Sequence, residues 1–128
     1  MRSLNKVLLI GNLTKDPESI DLDSGIKMAK FTIATNKSWS NKNGEKKEQT
    51  DFHTVVAWRK LAEICNEYLK KGSAVMIEGK LHNNKFKDKE GREKNVTEVH
   101  ADEVNFISYR KNQEVDEINL VSVETETV

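Results

Sequence analysis

Three aromatic side chains in this 128-residue sequence stand beside positive charge, and a fourth pairs with one of them by spacing. Trp39 follows Lys37 and precedes Lys42, Phe86 is flanked by Lys85 and Lys87, and Trp58 runs directly into Arg59 and Lys60. Phe52 lies six residues before Trp58, an even spacing that turns both rings the same way in a regular strand. Flat rings interleaved with cations suit an unpaired nucleic-acid strand. Bases stack on aromatic faces, at roughly 1–3 kcal/mol per base by alanine substitution, and phosphates add a salt-sensitive attraction. The competing role for such rings is core packing. The pattern leaves both roles open for Phe52 and Trp58, because strands bury aromatics routinely. Trp39 and Phe86 each stand alone in a polar, lysine-rich segment, which favours exposure.

Other chemistries find less support. His53, His82 and His100 have no metal-ligand spacing, and the lone Cys65 cannot complete a cysteine-rich site, so no metal is expected. Cys65 lies on an apolar helical stripe, which predicts a buried, inert thiol. No serine sits in a nucleophile elbow, and the glycines at 11, 25, 44, 72, 79 and 91 make no phosphate loop. Asp21 and Asp23 flank a turn and read as solvated surface; Lys46-Lys47 and Lys70-Lys71 read equally as solvated faces. No cofactor is expected, and an enzyme ranks last among the functional classes.

A net charge of zero argues at first against a polyanionic partner. Its distribution reverses that. Residues 1–112 hold all 21 Lys and Arg and 16 of the 21 Asp and Glu, 21 − 16 = +5; residues 113–128 hold the remaining five acids and no base. A single cysteine permits no internal disulfide, and no run of about 20 apolar residues is present, so a cytoplasmic protein is expected.

The elements that must position these residues follow from periodicity. Lys6–Leu13 reads as a strand buried on both faces for part of its length, with Gly11 marking a bend or bulge. Residues 27–36 alternate, with Ala29, Phe31 and Ile33 on one side, and 50–58 alternate with Val55 and Ala57 opposite Phe52 and Trp58. The stretch 37–48 reads as a polar loop around Asn43-Gly44. Leu61, Ile64, Cys65, Tyr68 and Leu69 predict a helix over 59–71 that plugs a barrel end, with Gly72 as its C-cap. Strands follow at 73–81 and 95–108, with a hairpin at 85–92. Five strands with one helix between the third and fourth make an all-β protein with the arrangement of an OB-fold, a five-stranded Greek-key barrel. Residues 1–110 form this domain, and 111–128 read as a short acidic tail without regular structure.

Particular stretches match a known family. They are Leu4-Asn5-Lys6-Val7, Ile10-Gly11-Asn12-Leu13, Asp16-Pro17-Glu18, Ser38-Trp39, Thr50-Asp51-Phe52-His53, Glu67-Tyr68-Leu69-Lys70-Lys71-Gly72-Ser73 and Ile77-Glu78-Gly79. Over residues 3–108 the chain resembles the bacterial single-stranded DNA-binding proteins. The resemblance implies an OB-fold assembled as a homotetramer that coats single-stranded DNA during replication, recombination and repair. It places the base-stacking rings on Trp39, Phe52, Trp58 and Phe86. The cationic contacts expected with them are Lys6, Lys60, Lys70, Lys71, Lys85 and Lys87. His53 matches a histidine at a subunit interface. Thr54, His82 and Asn84 stand where relatives often carry Arg, which implies a weaker salt dependence. Relatives commonly recruit replication and repair proteins through an acidic tip that closes on an aromatic residue; Val123–Val128 is acidic without one. An OB-fold module for RNA or protein is the competing reading.

Overall fold

The computed structural model describes residues 2–109 and 118–122. Among the described residues, seven strands and one helix occur in the order β1 (Val7–Leu13), β2 (Glu18–Asp21), β3 (Lys27–Ser40), β4 (Lys46–Trp58), α1 (Arg59–Tyr68), β5 (Ala74–Lys87), β6 (Glu93–Tyr109) and β7 (Ile118–Ser122). The helix therefore follows the fourth strand in chain order, because the short β2 counts as a strand of its own. Hydrogen-bonded neighbours run β1-β5-β6-β4-β3-β2, and an added β1–β3 pairing closes β1, β5, β6, β4 and β3 into the five-stranded barrel of an OB-fold.

Closure depends on two close backbone approaches. Leu13 and Asn12 pair with Ile33 and Ala34 while the strand still pairs with β5. A Cβ at Gly11 would lie 2.4 Å from the Ala34 carbonyl oxygen, so only glycine lets β1 cross to β3. Gly79 sits at a register shift in β5, where a Cβ would meet the His100 carbonyl oxygen at 2.2 Å.

The core is the inward face of the alternating strands: Ala29, Phe31 and Ile33 from β3, Val55 and Ala57 from β4, Val75 and Ile77 from β5, and Val99, Ala101 and Val104 from β6. Leu61, Ala62, Cys65 and Leu69 add to it from the helical segment. Tyr68 departs from the expected plug: it is 59% exposed and meets Phe106 edge-on at 6.2 Å. The helix also ends earlier than expected, with Leu69 as C-cap. Gly72 instead occupies the next turn at φ 89° and donates its N–H to the Leu13 carbonyl. β1 is buried on one face rather than two, since Leu8 and Ile10 are 62% and 55% exposed.

The polar stretches are strands too. β3 and β4 stay in unbroken register out to Ser40↔Lys46, and β5 and β6, beyond the shift at Gly79, out to Lys87↔Glu93. Two arms thus project from the barrel. Each ends in a five-residue turn built the same way. Asn41 and Asp88 each accept two backbone N–H groups on Oδ1, and glycines 44 and 91 take φ 78° and 79°. Side chains stitch the arms across: Thr50 donates to Asn36, and Thr97 to Asn83. Residues 37–48, expected as a loop, are therefore mostly ladder. Residues 118–122, expected to lack regular structure, pair antiparallel with β6 from Asn105 to Tyr109. The other residues of the expected tail lie outside the described residues.

Candidate nucleic-acid interface

Register decides which side chains share the outer face. Phe52, Thr54, Val56 and Trp58 follow one another at even positions on β4, and Met28 and Lys30 stand opposite Trp58 and Val56 on β3. Val56 is also opposite His100 across the parallel β4–β6 contact. On the neighbouring pair, His82, Asn84 and Phe86 are opposite Glu98, Val96 and Lys94. One continuous face thus runs from Phe52 across Trp58 to Phe86.

A depression of about 310 Å³ lies on it, lined by Met28, Lys30, Val56, Trp58, His82, Asn84, Glu98 and His100. Lys30 also lines a second hollow, about 130 Å³, beside Lys15, Thr32 and Thr54. Phe52 is 66% exposed and Phe86 45%, while Trp58 is half-buried, its ring edge-on to His100 at 6.0 Å and 66°. Glu98 is buried and pairs with Lys30 at 3.7 Å and with His100 at 3.8 Å. Burial holds the His100 imidazole below its usual range and nearby His82 adds to this, against the opposite pull of Glu98.

Trp39 is exposed as expected, at 42%, but on the other side of its arm. Its odd position places it opposite Lys47, on the face that continues Ile33 rather than Phe52. Lys37 lies over its ring at 5.8 Å from the centroid. Lys85 and Lys87 flank Phe86 in the chain, yet alternation turns them away from it, and the cation opposite Phe86 is Lys94.

The remaining cations lie elsewhere. Lys6 bonds Glu78 at 2.8 Å, and this contact raises the lysine's pKa and lowers the carboxyl's. Lys60 is in the first turn of α1, beside a separate hollow shared with Arg59 and Glu63. Arg59 itself turns the chain from strand to helix at φ 59°, a left-handed conformation. Lys70 and Lys71 are exposed, and their backbone N–H groups donate to Ser73 Oγ and Asp16 Oδ1. None of these four lysines lines the Trp58 depression. His53 is half-buried at the base of the β3–β4 arm, its Nε2 2.9 Å from the Thr35 hydroxyl.

Lys15, Lys30 and His100 were not expected as groove residues, and His82 was named only as a position where relatives often carry Arg. The alternation of β3 puts Lys30 on the face away from Phe31, but its partner Val56 emerges only from the strand register.

Cys65 is fully buried, and burial pushes its thiol up to about 12. No group of three or more His, Cys, Asp or Glu among the described residues is placed to hold a metal ion, and no helix among them is long and apolar enough to cross a membrane.

Comparison with known proteins agrees with this fold. The sequence model of the "Single-strand binding protein family" matches residues 4–107. Single-stranded DNA-binding proteins of Neisseria meningitidis serogroup A and serogroup B are each 40% identical over 108 residues. Those matches cover 84% of this chain and 62% of each relative, so the chain spans under two thirds of the relatives' length. A solved structure described as a Plasmodium falciparum SSB complex with ssDNA superposes with a TM-score of 0.78 at 32% identity, covering 84% of this chain and 98% of that one. Barrel and sequence match agree: the chain belongs to the single-strand binding protein family.

Proposed function

We propose that this protein binds single-stranded DNA without reading its sequence and coats it during replication, recombination and repair, performing no catalysis. The observation that carries this is the shared face of Phe52, Trp58 and Phe86, a band of rings with Lys15, Lys30 and Lys94 beside it. Stacking accepts any base, because every base has a π-face, and the lysines supply attraction that does not depend on sequence. Trp39 and the lysines at 6, 60, 70, 71, 85 and 87 extend contact to a strand that leaves the central face and wraps the protein.

Assembly into a homotetramer belongs to the same proposal. Leu8 and Ile10, exposed on β1, offer apolar area to a second copy, and His53 sits at the base of the arm beside Thr35. Recruitment of replication and repair proteins through residues 113–128 would rest on their acidic charge alone.

The test is a titration with poly(dT), read by tryptophan fluorescence and light scattering together. Trp58 emission is expected to quench, affinity to fall as salt rises, and scattering to report four subunits per particle. Unchanged emission at low salt would end the DNA-binding reading. Tighter binding to an RNA of equal length would favour RNA as the ligand.

A further inference from the structure

Two imidazoles occupy the centre of the groove. His82 on β5 is exposed, and His100 on β6 is half-buried against it, with ring centroids 4.3 Å apart and planes at 27°. Register accounts for the overlap: His82 stands opposite Glu98, and His100 opposite Lys80, so the rings are diagonal neighbours on one face. Each packed strand contributes charge or withholds it. β6 brings Glu98, β3 brings Lys30 and β5 brings Lys80, while β4 presents the uncharged Val56 and Trp58. Lys30 and Glu98 pair at 3.7 Å. With both imidazoles neutral, the residues lining the depression carry no net charge. A neutral lining offers a polyanion no net attraction, and one proton would make it positive.

We infer that the His82–His100 pair is a phosphate-binding element of this groove, engaging the DNA backbone when the pair takes up a proton. The inference rests on the DNA-binding reading above and names a contact and a control within it. Two imidazolium rings this close would repel, so a proton on one ring disfavours a second on the other. Burial, and then His82, make His100 the ring that resists charge, with Glu98 partly offsetting this. His82, on the solvent side, presents the N–H donors to a phosphate oxygen. His100 beneath it fixes the ring by stacking, and Glu98 anchors His100 in turn.

Binding of oligo(dT) to the full chain, followed by tryptophan fluorescence across about pH 5 to 8, tests this. Thymine does not titrate in that range, so the pH dependence belongs to the protein. Acidification should tighten binding several-fold and steepen the log–log salt slope by about 0.7, the share of one phosphate on a single strand. His82→Gln, at an exposed position, should lose both effects. By linkage, DNA should also raise the midpoint at which the pair's imidazole NMR signals titrate. A His82→Gln variant that keeps the parent's pH dependence, or a midpoint unmoved by saturating DNA, would overturn the inference. Binding that is present but indifferent to pH overturns this inference alone. Absence of binding at every pH overturns it together with the DNA-binding reading.

Discussion

Phe52 and Trp58 share a face, but the surroundings of each ring differ. Phe52 is 66% exposed, so Phe52→Ala should weaken oligo(dT) binding by about 1–3 kcal/mol, read by fluorescence titration, with the melting temperature nearly unchanged. Trp58 is half-buried against His100 at the strand–helix junction. Trp58→Ala should cost a similar amount in binding and also lower stability by about 1–3 kcal/mol in a thermal melt. Cys65 gives a second residue-scale expectation. A thiol pushed up to about 12 and fully buried has almost no thiolate near pH 8, so a thiol reagent should label it at the rate of unfolding. Labelling of the native protein at the rate of a free thiol would show the helix is not packed as described. At this scale the exposure of Trp39 and Phe86 was legible in the sequence, because lysine-rich surroundings mark exposed aromatics, whereas the pattern left Phe52 and Trp58 open. Their partners were not. Lys85 and Lys87 adjoin Phe86 along the chain but face away, whereas Lys94 reaches its side from another strand.

Among the elements, the glycines at the corners carry the barrel. Gly11→Ala would drive a methyl group into the Ala34 carbonyl, a backbone atom that cannot swing aside. The variant should lose about 1–3 kcal/mol by chemical denaturation, the scale of overpacking. Unchanged stability would mean that β1 closes on β3 less tightly than the distances state. Strands with one core face were legible, since Ala29, Phe31, Ile33, Val55 and Ala57 alternate with outward residues and are all buried. The outer halves of β3, β4, β5 and β6 were not. Beyond the barrel both faces of an arm meet solvent, so the hydrophobic alternation that reveals a strand disappears. Backbone ladders, the Thr50–Asn36 and Thr97–Asn83 bonds and the two Asx-type turns hold the arms, and polar sequence of that kind resembles a loop. The helix was legible from its stripe. Its end was not, because Leu69 leaves the helical conformation to continue into the turn that Asp16 and Leu13 fasten.

For the whole molecule, charge is divided between body and tail. Removing residues 113–128 would take away five carboxylates and no base, changing the net charge from zero to 21 − 16 = +5. The shortened chain should bind DNA more tightly at low salt. The difference should vanish near 1 M salt, where the Debye length is about 3 Å. Equal affinities at low salt would show that the tail's charge does not act on the groove. The sequence alone determined the core-facing halves of the barrel strands, the helix and the exposure of Trp39 and Phe86, because periodicity and local composition act over a few neighbouring residues. The tertiary structure decided which groups meet across strands. It separated Trp39 from Phe52 onto opposite sides of one arm, brought Lys30 to Glu98, and laid His82 on His100. Such contacts depend on strand register, which is set by barrel closure and turn geometry over distances that no local pattern spans.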